Sequence, residues 1–109
     1  MSRLDVRALI SEAGLEDDHI ERDHFGKPTS LPYAVYIYGK TVSLCADDAI
    51  LVKNQEIIIE LYTDCERDPA LMDMICAVLE RHGIIYETAE DYIESEDMYR
   101  VSFYFEEMI

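Results

Sequence analysis

The stretch from Glu56 to Thr63 constrains the fold of this chain more than any other. Apolar residues occupy every second position along one side of it: Ile57, Ile59 and Leu61. Successive side chains of a β-strand point to opposite faces of a sheet, so this alternation predicts a strand with one buried face. The residues from Met98 to Glu106 alternate in the same way and predict a second strand of this kind.

Between these two strands lies one segment with helical periodicity. Asp68 followed by Pro69 is typical of a helix start, because aspartate caps free backbone N–H groups and proline tolerates the first helical position. Gly83 is suited to end the helix. One stripe at helical spacing contains Leu71, Met74 or Ile75, Val78, Leu79 and His82. This spacing predicts a helix that lies across a sheet.

The first part of the chain is less regular. Ser2 followed by Asp5, with apolar residues at helical spacing up to Gly14, predicts a short helix at about residues 3–13. Residues 15–31 mix acids, histidine, glycine and proline without a clear period. They are predicted to form a loop.

From Pro32 onward the composition changes to residues that favour strands. Gly39–Lys40 is predicted to be a two-residue hairpin turn, because glycine supplies the positive φ that the first turn position needs. Asn54–Gln55 is predicted to be a second turn, and Ile84 to Thr88 a further strand after the helix.

These elements together predict an α+β fold, with one mostly antiparallel sheet of about five strands and two helices packed on one face of it. A chain of 109 residues is long enough for one hydrophobic core and too short for two. We therefore expect a single domain over residues 1–109, with the strands and the second helix within residues 32–107.

The net charge of −15 argues against one common class of function. The chain has 24 acids and 9 bases, and residues 55–109 hold 15 of those acids but only 3 of the bases. Such a surface repels phosphate backbones, so specific nucleic-acid binding through a basic patch is not expected. The same charge suits a surface that DNA must slide past without adhering.

No residue pattern predicts catalysis, a metal or a cofactor. Asp64, Glu66 and Asp68 offer oxygen ligands, but the glycine and the bidentate glutamate of an EF-hand loop are missing. Asp68 is better explained as a helix cap. The histidines lie in no nucleophile or metal-pair motif and are interpreted as structural or surface residues: His19, His24 and His82.

The cysteines predict neither a zinc site nor a disulfide framework. Cys45, Cys65 and Cys76 are odd in number and form no C-x-x-C pair, and no neighbouring residue marks a lowered thiol pKa. The N-terminal residues lack the apolar region of a signal peptide, and no stretch is long enough to span a membrane. We expect a protein made in a reducing cytoplasm, without a membrane partner and without enzymatic activity.

Two groups of residues are candidates for contacts with partners. Four tyrosines are predicted on strand faces opposite the core, where their apolar rings and polar tips suit an oligomer interface: Tyr36, Tyr38, Tyr62 and Tyr104. The alternative is a half-buried sheet face covered by the N-terminal helix. Five acids fall in a link between the last two strands that packing does not explain: Glu90, Asp91, Glu94, Glu96 and Asp97.

Several blocks of the sequence resemble those of a family of small proteins encoded in the tail-morphogenesis region of long-tailed phages and prophages. The blocks are Leu31-Pro32-Tyr33, Glu60-Leu61-Tyr62-Thr63-Asp64, Gly83-Ile84-Ile85-Tyr86-Glu87 and Tyr92-Ile93-Glu94-Ser95-Glu96-Asp97-Met98-Tyr99. The chain is similar in size and layout to tail terminator and tail completion proteins, which assemble as hexameric rings. One departure is the tight hairpin expected at Gly39–Lys40, where the relatives carry a longer polar insert.

The resemblance implies a non-enzymatic virion assembly protein without a cofactor. Such a protein would cap the tail tube at its head-proximal end after assembly in the cytoplasm of the bacterial host. Its partners would be further copies of itself in a ring, the major tail tube protein and the head-tail connector proteins. DNA would pass through the ring.

An acidic decoy that mimics DNA and inhibits a nucleic-acid enzyme is the alternative function. The charge of −15 on a small chain suits it. A mimic needs its carboxylates on one exposed face at phosphate-like spacing, whereas many acids here alternate with core residues along strands.

Overall fold

The computed structural model describes residues 4–24, 30–64, 66 and 68–109. Two helices are present in these residues, α1 (Val6–Glu12) and α2 (Pro69–Arg81). The five strands are β1 (Ile20–Arg22), β2 (Tyr33–Ala46), β3 (Ala49–Asp64), β4 (Tyr86–Ile93) and β5 (Met98–Met108). In the described part of the chain no helix has the length and apolar character needed to cross a membrane.

The strands form one sheet in the order β1-β2-β3-β5-β4. β1 runs parallel to β2, and the other three pairings are antiparallel. Both helices contribute side chains to one hydrophobic core on one face of this sheet. The prediction of an α+β fold with a mostly antiparallel sheet and two helices is confirmed.

The two alternating segments of the sequence form the centre of the sheet. β3 and β5 pair so that Ile59 lies opposite Phe103, both fully buried, and Ile57 lies opposite Phe105. Burial of one such side chain contributes about 1.5–3 kcal/mol. The alternate residues of both strands point to the other face, which we call the open face.

Helix α2 begins and ends close to where the sequence predicts. The Asp68 carboxylate accepts a hydrogen bond from the Leu71 N–H at 3.1 Å, Pro69 is the first helical residue, and Gly83 has a φ of +70°. The buried stripe includes Ile75 and not Met74, which is 48% exposed. The predicted stripe also contains His82, but the structure shows that its side chain is 41% exposed and that its Nε2 atom contacts the Glu12 carboxylate.

The N-terminal segment differs from its prediction at both ends. Helix α1 starts after Asp5, whose carboxylate caps the Ala8 N–H at 3.1 Å, while the predicted cap Ser2 lies outside the described residues. The predicted loop at 15–31 contains a 3₁₀ turn, Asp17–His19, and strand β1. Ile20 anchors this strand, because its side chain is only 1% exposed in the core.

The prediction of turns at Gly39–Lys40 and Asn54–Gln55 is wrong. Strands β2 and β3 run through both positions, and the chain turns instead at Asp47–Asp48, whose φ values are +52° and +64°. Two positive φ values are what a type I′ hairpin turn requires.

Gly39 lies at a β-bulge, since three steps along β2 match two along β3 between the pairs Tyr38↔Ile57 and Thr41↔Gln55. A Cβ atom at Gly39 would lie 2.2 Å from Glu56 Oε1. The glycine therefore permits close approach of a side chain at the bulge.

The hairpin extends past the core as an arm, which we define as residues 39–53. All described side chains of the arm are exposed or half-buried. β5 pairs with β3 only from Asn54 onward, so the arm is a two-stranded projection. The molecule is elongated, with dimensions of 51 × 28 × 24 Å.

The acidic link predicted between the last strands is also different. Strand β4 extends from Tyr86 to Ile93 instead of the predicted Ile84 to Thr88, so it contains the first two acids of the link, Glu90 and Asp91. The remainder is a 3₁₀ turn, Glu94–Glu96, followed by Asp97 with a φ of +49°. The link is a strand end and a tight turn.

Candidate assembly surfaces

The structure places the four candidate tyrosines on two different faces. Tyr62 and Tyr104 lie on the open face, as predicted. Tyr36 and Tyr38 lie on the helix-covered face, because they pair with the core residues Ile59 and Ile57 of β3. The face predicted for these two tyrosines is wrong, and their role in an interface stays a prediction.

Tyr36 and Tyr38 are partly buried and pack against the edge of the core. Their rings pack edge to face with centroids 6.1 Å apart. The Arg7 guanidinium lies 5.9 Å from the Tyr36 ring centroid, and that of Arg22 lies 4.7 Å from the Tyr38 centroid. Cation–π contacts of this kind contribute about 0.5–1 kcal/mol each at exposed sites.

The open face carries a stacked tyrosine pair beside a charged network. The Tyr33 and Tyr62 rings stack with centroids 4.9 Å apart, and burial raises the pKa of both hydroxyls. Tyr62 donates a hydrogen bond to Glu60 Oε1 at 3.1 Å. Arg100 contacts the Asp91 carboxylate at 3.0 Å and Glu60 at 3.9 Å.

Arg100 neutralises this part of the open face. Its hydrogen bond to Asp91, followed by its contact with Tyr62, raises the pKa of the guanidinium, so the group stays charged. Asp91, a predicted interface residue, is thus engaged within the subunit.

Arg100→Met is expected to lower the free energy of unfolding by about 0.5–1 kcal/mol in dilute buffer, because Asp91 and Glu60 lose their cation. The Arg100 side chain is 35% exposed, so high salt should shrink this difference in urea denaturation. Lys53→Met is the matched control, since Lys53 forms no ion pair among the described residues. Equal decreases in the free energy of unfolding of both variants, independent of salt, would contradict the stabilising role of the Arg100 ion pairs.

The other predicted acids do not form one surface. Glu90 lies on the helix-covered face opposite Val101 and lines a small cavity with Tyr99, whereas Asp91 lies on the open face. Glu94 and Glu96 are exposed in the 3₁₀ turn. The Asp97 carboxylate accepts a hydrogen bond from the Tyr92 hydroxyl beside that turn.

Several stretches of strand edge have no paired strand in the described part of the chain. β4 is the last strand of the sheet and pairs with β5 on one side only. β1 covers β2 at three residues, Ala34 to Tyr36, and no described strand pairs with the outer edge of β2 along the arm. Open edges can accept a strand from another chain.

An open cleft of about 770 Å³ lies where the arm leaves the sheet. Its apolar residues include Ile85, which is 93% exposed, Met108 at 58% and Tyr104 at 38%. Sequence reasoning missed this cleft. The sequence feature that could have indicated it is the pair Ile84–Ile85 directly after Gly83, where α2 ends. Adjacent residues at that point cannot both reach the core, so one of the two isoleucines must be exposed.

The residues considered for metal binding have structural partners. Asp64 accepts a hydrogen bond from the Glu66 N–H at 3.0 Å, and Asp68 caps α2. A separate exposed group, Glu16, Asp18 and His19, brings one possible ligand atom from each residue within 4.8 Å of the others. His19 Nδ1 lies 2.8 Å from the Pro32 carbonyl oxygen, which accounts for the orientation of its ring.

The described cysteines differ in environment. Cys45 is exposed near the tip of the arm, and Cys76 is half-buried beside the core. Contact with Cys76, burial and the hydrogen bond to Glu80 raise the pKa of the Tyr86 hydroxyl. Cys65 lies outside the described residues.

Comparison with known proteins gives a structural likeness and no match in sequence. No protein-family model matches the chain, and no curated protein matches it in sequence. A chain in a solved structure of the virion of a native gene transfer agent particle has a similar fold, with a TM-score of 0.60 and 13% sequence identity. The match covers 96% of this chain and 84% of that chain. At this identity the likeness shows a shared fold.

Proposed function

We propose that this chain is a non-enzymatic structural protein of a phage-like particle. The observation that carries the proposal is the fold shared with a virion chain of a gene transfer agent over 96% of the present chain. The sequence blocks that resemble phage tail-morphogenesis proteins point to the same class of particle independently of the fold.

More specifically, the protein is a tail terminator or tail completion protein. It forms a ring, which the resemblance implies to be hexameric, at the head-proximal end of the tail tube. There it contacts the tube protein on one side and the head-tail connector on the other. The edge of β4, the open face and the arm provide surfaces for neighbours in such a ring.

The charge distribution suits a ring through which DNA moves. Most of the net charge of −15 belongs to residues 55–109, which include both strands beyond β3. Like charge on the channel wall would keep DNA from adhering to it. We assign the acidic turn after β4, with its exposed Glu94 and Glu96, to the surface that meets the channel or the connector.

The positions of the acids do not favour the DNA-mimic alternative. Glu87 and Asp91 lie on one face of β4 while Glu90 lies on the other. Further acids are paired with bases on the helical side of the molecule, as Glu12 is with Arg81. A mimic would need these carboxylates on one continuous face.

Electron microscopy of tubes polymerised from the major tail protein tests the proposal. With the protein present, we expect a density at one end of each tube, and tubes that no longer grow from that end. An unrelated protein of similar size and charge serves as the control. A strict monomer that never binds tubes would exclude the function, and salt-sensitive capture of a nucleic-acid enzyme would favour the mimic.

A further inference from the structure

Among the described residues, no side chain of the arm belongs to the hydrophobic core. Val42, Leu44 and Val52 lie on its open-face side, and Leu44 is 58% exposed. Val42 and Val52 are half-buried. Aliphatic residues on a two-stranded projection add little stability to the isolated subunit, because a hairpin of this kind is marginal by itself. They would become buried only against another surface.

The arm also differs in charge from the rest of the chain. It contains Lys40, Lys53, Asp47 and Asp48, so its formal charge is zero in a chain of −15. The two acids occupy the tip, and the two lysines lie toward its base. Neither lysine forms an ion pair with a described residue. The arm therefore meets less repulsion from another copy than the acidic residues 55–109 would.

The cleft beside the arm has complementary properties. Its lining includes the exposed apolar side chains of Ile85 and Met108 together with Glu56, Glu87 and Glu106. No lysine, arginine or histidine is among the described residues that line it. Glu56 and Glu106 lie directly opposite each other on β3 and β5, an arrangement that is unfavourable unless a cation lies nearby.

At the cleft, part of strand β5 also has no paired strand on one side. β4 begins opposite Phe105, so Glu106 to Met108 of β5 have no strand on that side among the described residues. The outer edge of β2 is likewise unpaired along the arm. Two unpaired strand edges can join by backbone hydrogen bonds, while the alternate side chains supply specificity.

We infer that the arm of one copy docks in the cleft of the next copy, with Leu44 against Ile85 and the arm lysines near the cleft acids. Leu44 lies opposite Val52, five residues along β3 from Ile57, which marks the level at which β4 begins, and β3 and β5 separate β2 from β4. Leu44 would therefore meet Ile85 of a different subunit. A contact between two unlike surfaces of one chain is heterologous, and it closes into a ring when the rotation permits. This inference rests on the proposed function and identifies the contact that builds the ring.

Disulfide trapping tests the contact. All subunits carry Cys45→Ser, one set also carries Leu44→Cys, and the other carries Ile85→Cys. Mixing the two sets under mild oxidation is expected to give cross-linked pairs, whereas neither set alone should cross-link above the Cys45→Ser background. Subunits that carry both cysteines should form a ladder of oligomers. Ala77→Cys, at an exposed position on α2, replaces Ile85→Cys as the matched control.

Charge reversal provides a second measurement. Lys40→Glu with Lys53→Glu should weaken self-association at least about tenfold, and Glu87→Lys with Glu106→Lys should do the same. Mixing the double variant of the arm lysines with the double variant of the cleft glutamates should restore association in sedimentation experiments. Circular dichroism checks that each variant is folded.

Cross-linking of the Leu44→Cys set with itself, or equal trapping by the Ala77→Cys control, would overturn the inference. If the arm contact is wrong but the function is right, wild-type protein still caps tail tubes while mixed cross-links are missing. If the function is wrong, tubes stay uncapped whatever the cross-linking result.

Discussion

Phe103→Ala is expected to lower the free energy of unfolding by about 3–5 kcal/mol. The Phe103 ring is fully buried on β5, opposite Ile59 of β3 and next to Tyr86, with ring centroids 6.4 Å apart. Removing it leaves a cavity between the sheet and the helices. Small domains have only about 5–15 kcal/mol of stability, so the variant should unfold at much lower denaturant concentration.

Tyr104→Ala is the matched control, because the neighbouring residue on the same strand points to the open face. Tyr104 is 38% exposed and lines the cleft, so the loss should be about 1 kcal/mol or less, while self-association should decrease. Urea denaturation and sedimentation of both variants separate the two effects. If both substitutions destabilised folding equally, the assignment of the two faces would be wrong.

Shortening the arm is expected to abolish ring assembly and leave the fold intact. Replacing residues 43–53 by Asn-Gly joins the cross-strand partners Val42 and Asn54 through a favoured two-residue turn. None of the deleted residues that the structure describes belongs to the core. The free energy of unfolding should therefore change by about 1 kcal/mol, which corresponds to a shift of a few degrees in melting temperature. The shortened protein should remain monomeric at concentrations where the wild type associates, and tubes should stay uncapped.

A full-length arm with Asp47→Asn and Asp48→Gly is the control. It keeps the arm and favours the same type of turn, so assembly should be retained. Light scattering over a concentration series compares the three proteins. Assembly by the shortened protein at wild-type concentration would show that the arm is not the ring contact.

The central elements of the fold were predictable because each has one dominant period. Across the core, every second residue of β3 and β5 is apolar, and α2 has a clear start at Asp68–Pro69 and an end at Gly83. In these segments local propensity and burial agree, so residue pattern alone identifies the element and its buried face.

The wrongly predicted turns have a common physical cause. Gly39 and Asn54 are typical turn residues, yet Gly39 occupies a bulge and the true turn uses two aspartates in the left-handed region. Aspartate tolerates positive φ less readily than glycine, so Asp47–Asp48 is a weaker signal in sequence. β1 was not predicted, because a strand of three residues is too short to show a period. Its parallel pairing with β2 also leaves no hairpin turn that would indicate it in the sequence.

The candidate surfaces were less predictable than the fold. Both sides of the run from Tyr33 to Tyr38 are apolar, so alternation could not decide which side faces the helices, and Tyr36 and Tyr38 were assigned to the wrong one. The position of the cleft depends on where β4 starts relative to β5. This register follows from the pairing of two distant segments and cannot be read from either segment alone.

Counting fluorescently labelled copies on single tail tubes measures whether the protein terminates the tube. We expect one fixed number of copies per tube, located at one end, equal to a hexameric ring and independent of tube length. Copies that scale with tube length, or tubes without any bound copy at saturating protein, would contradict a role as the terminating ring.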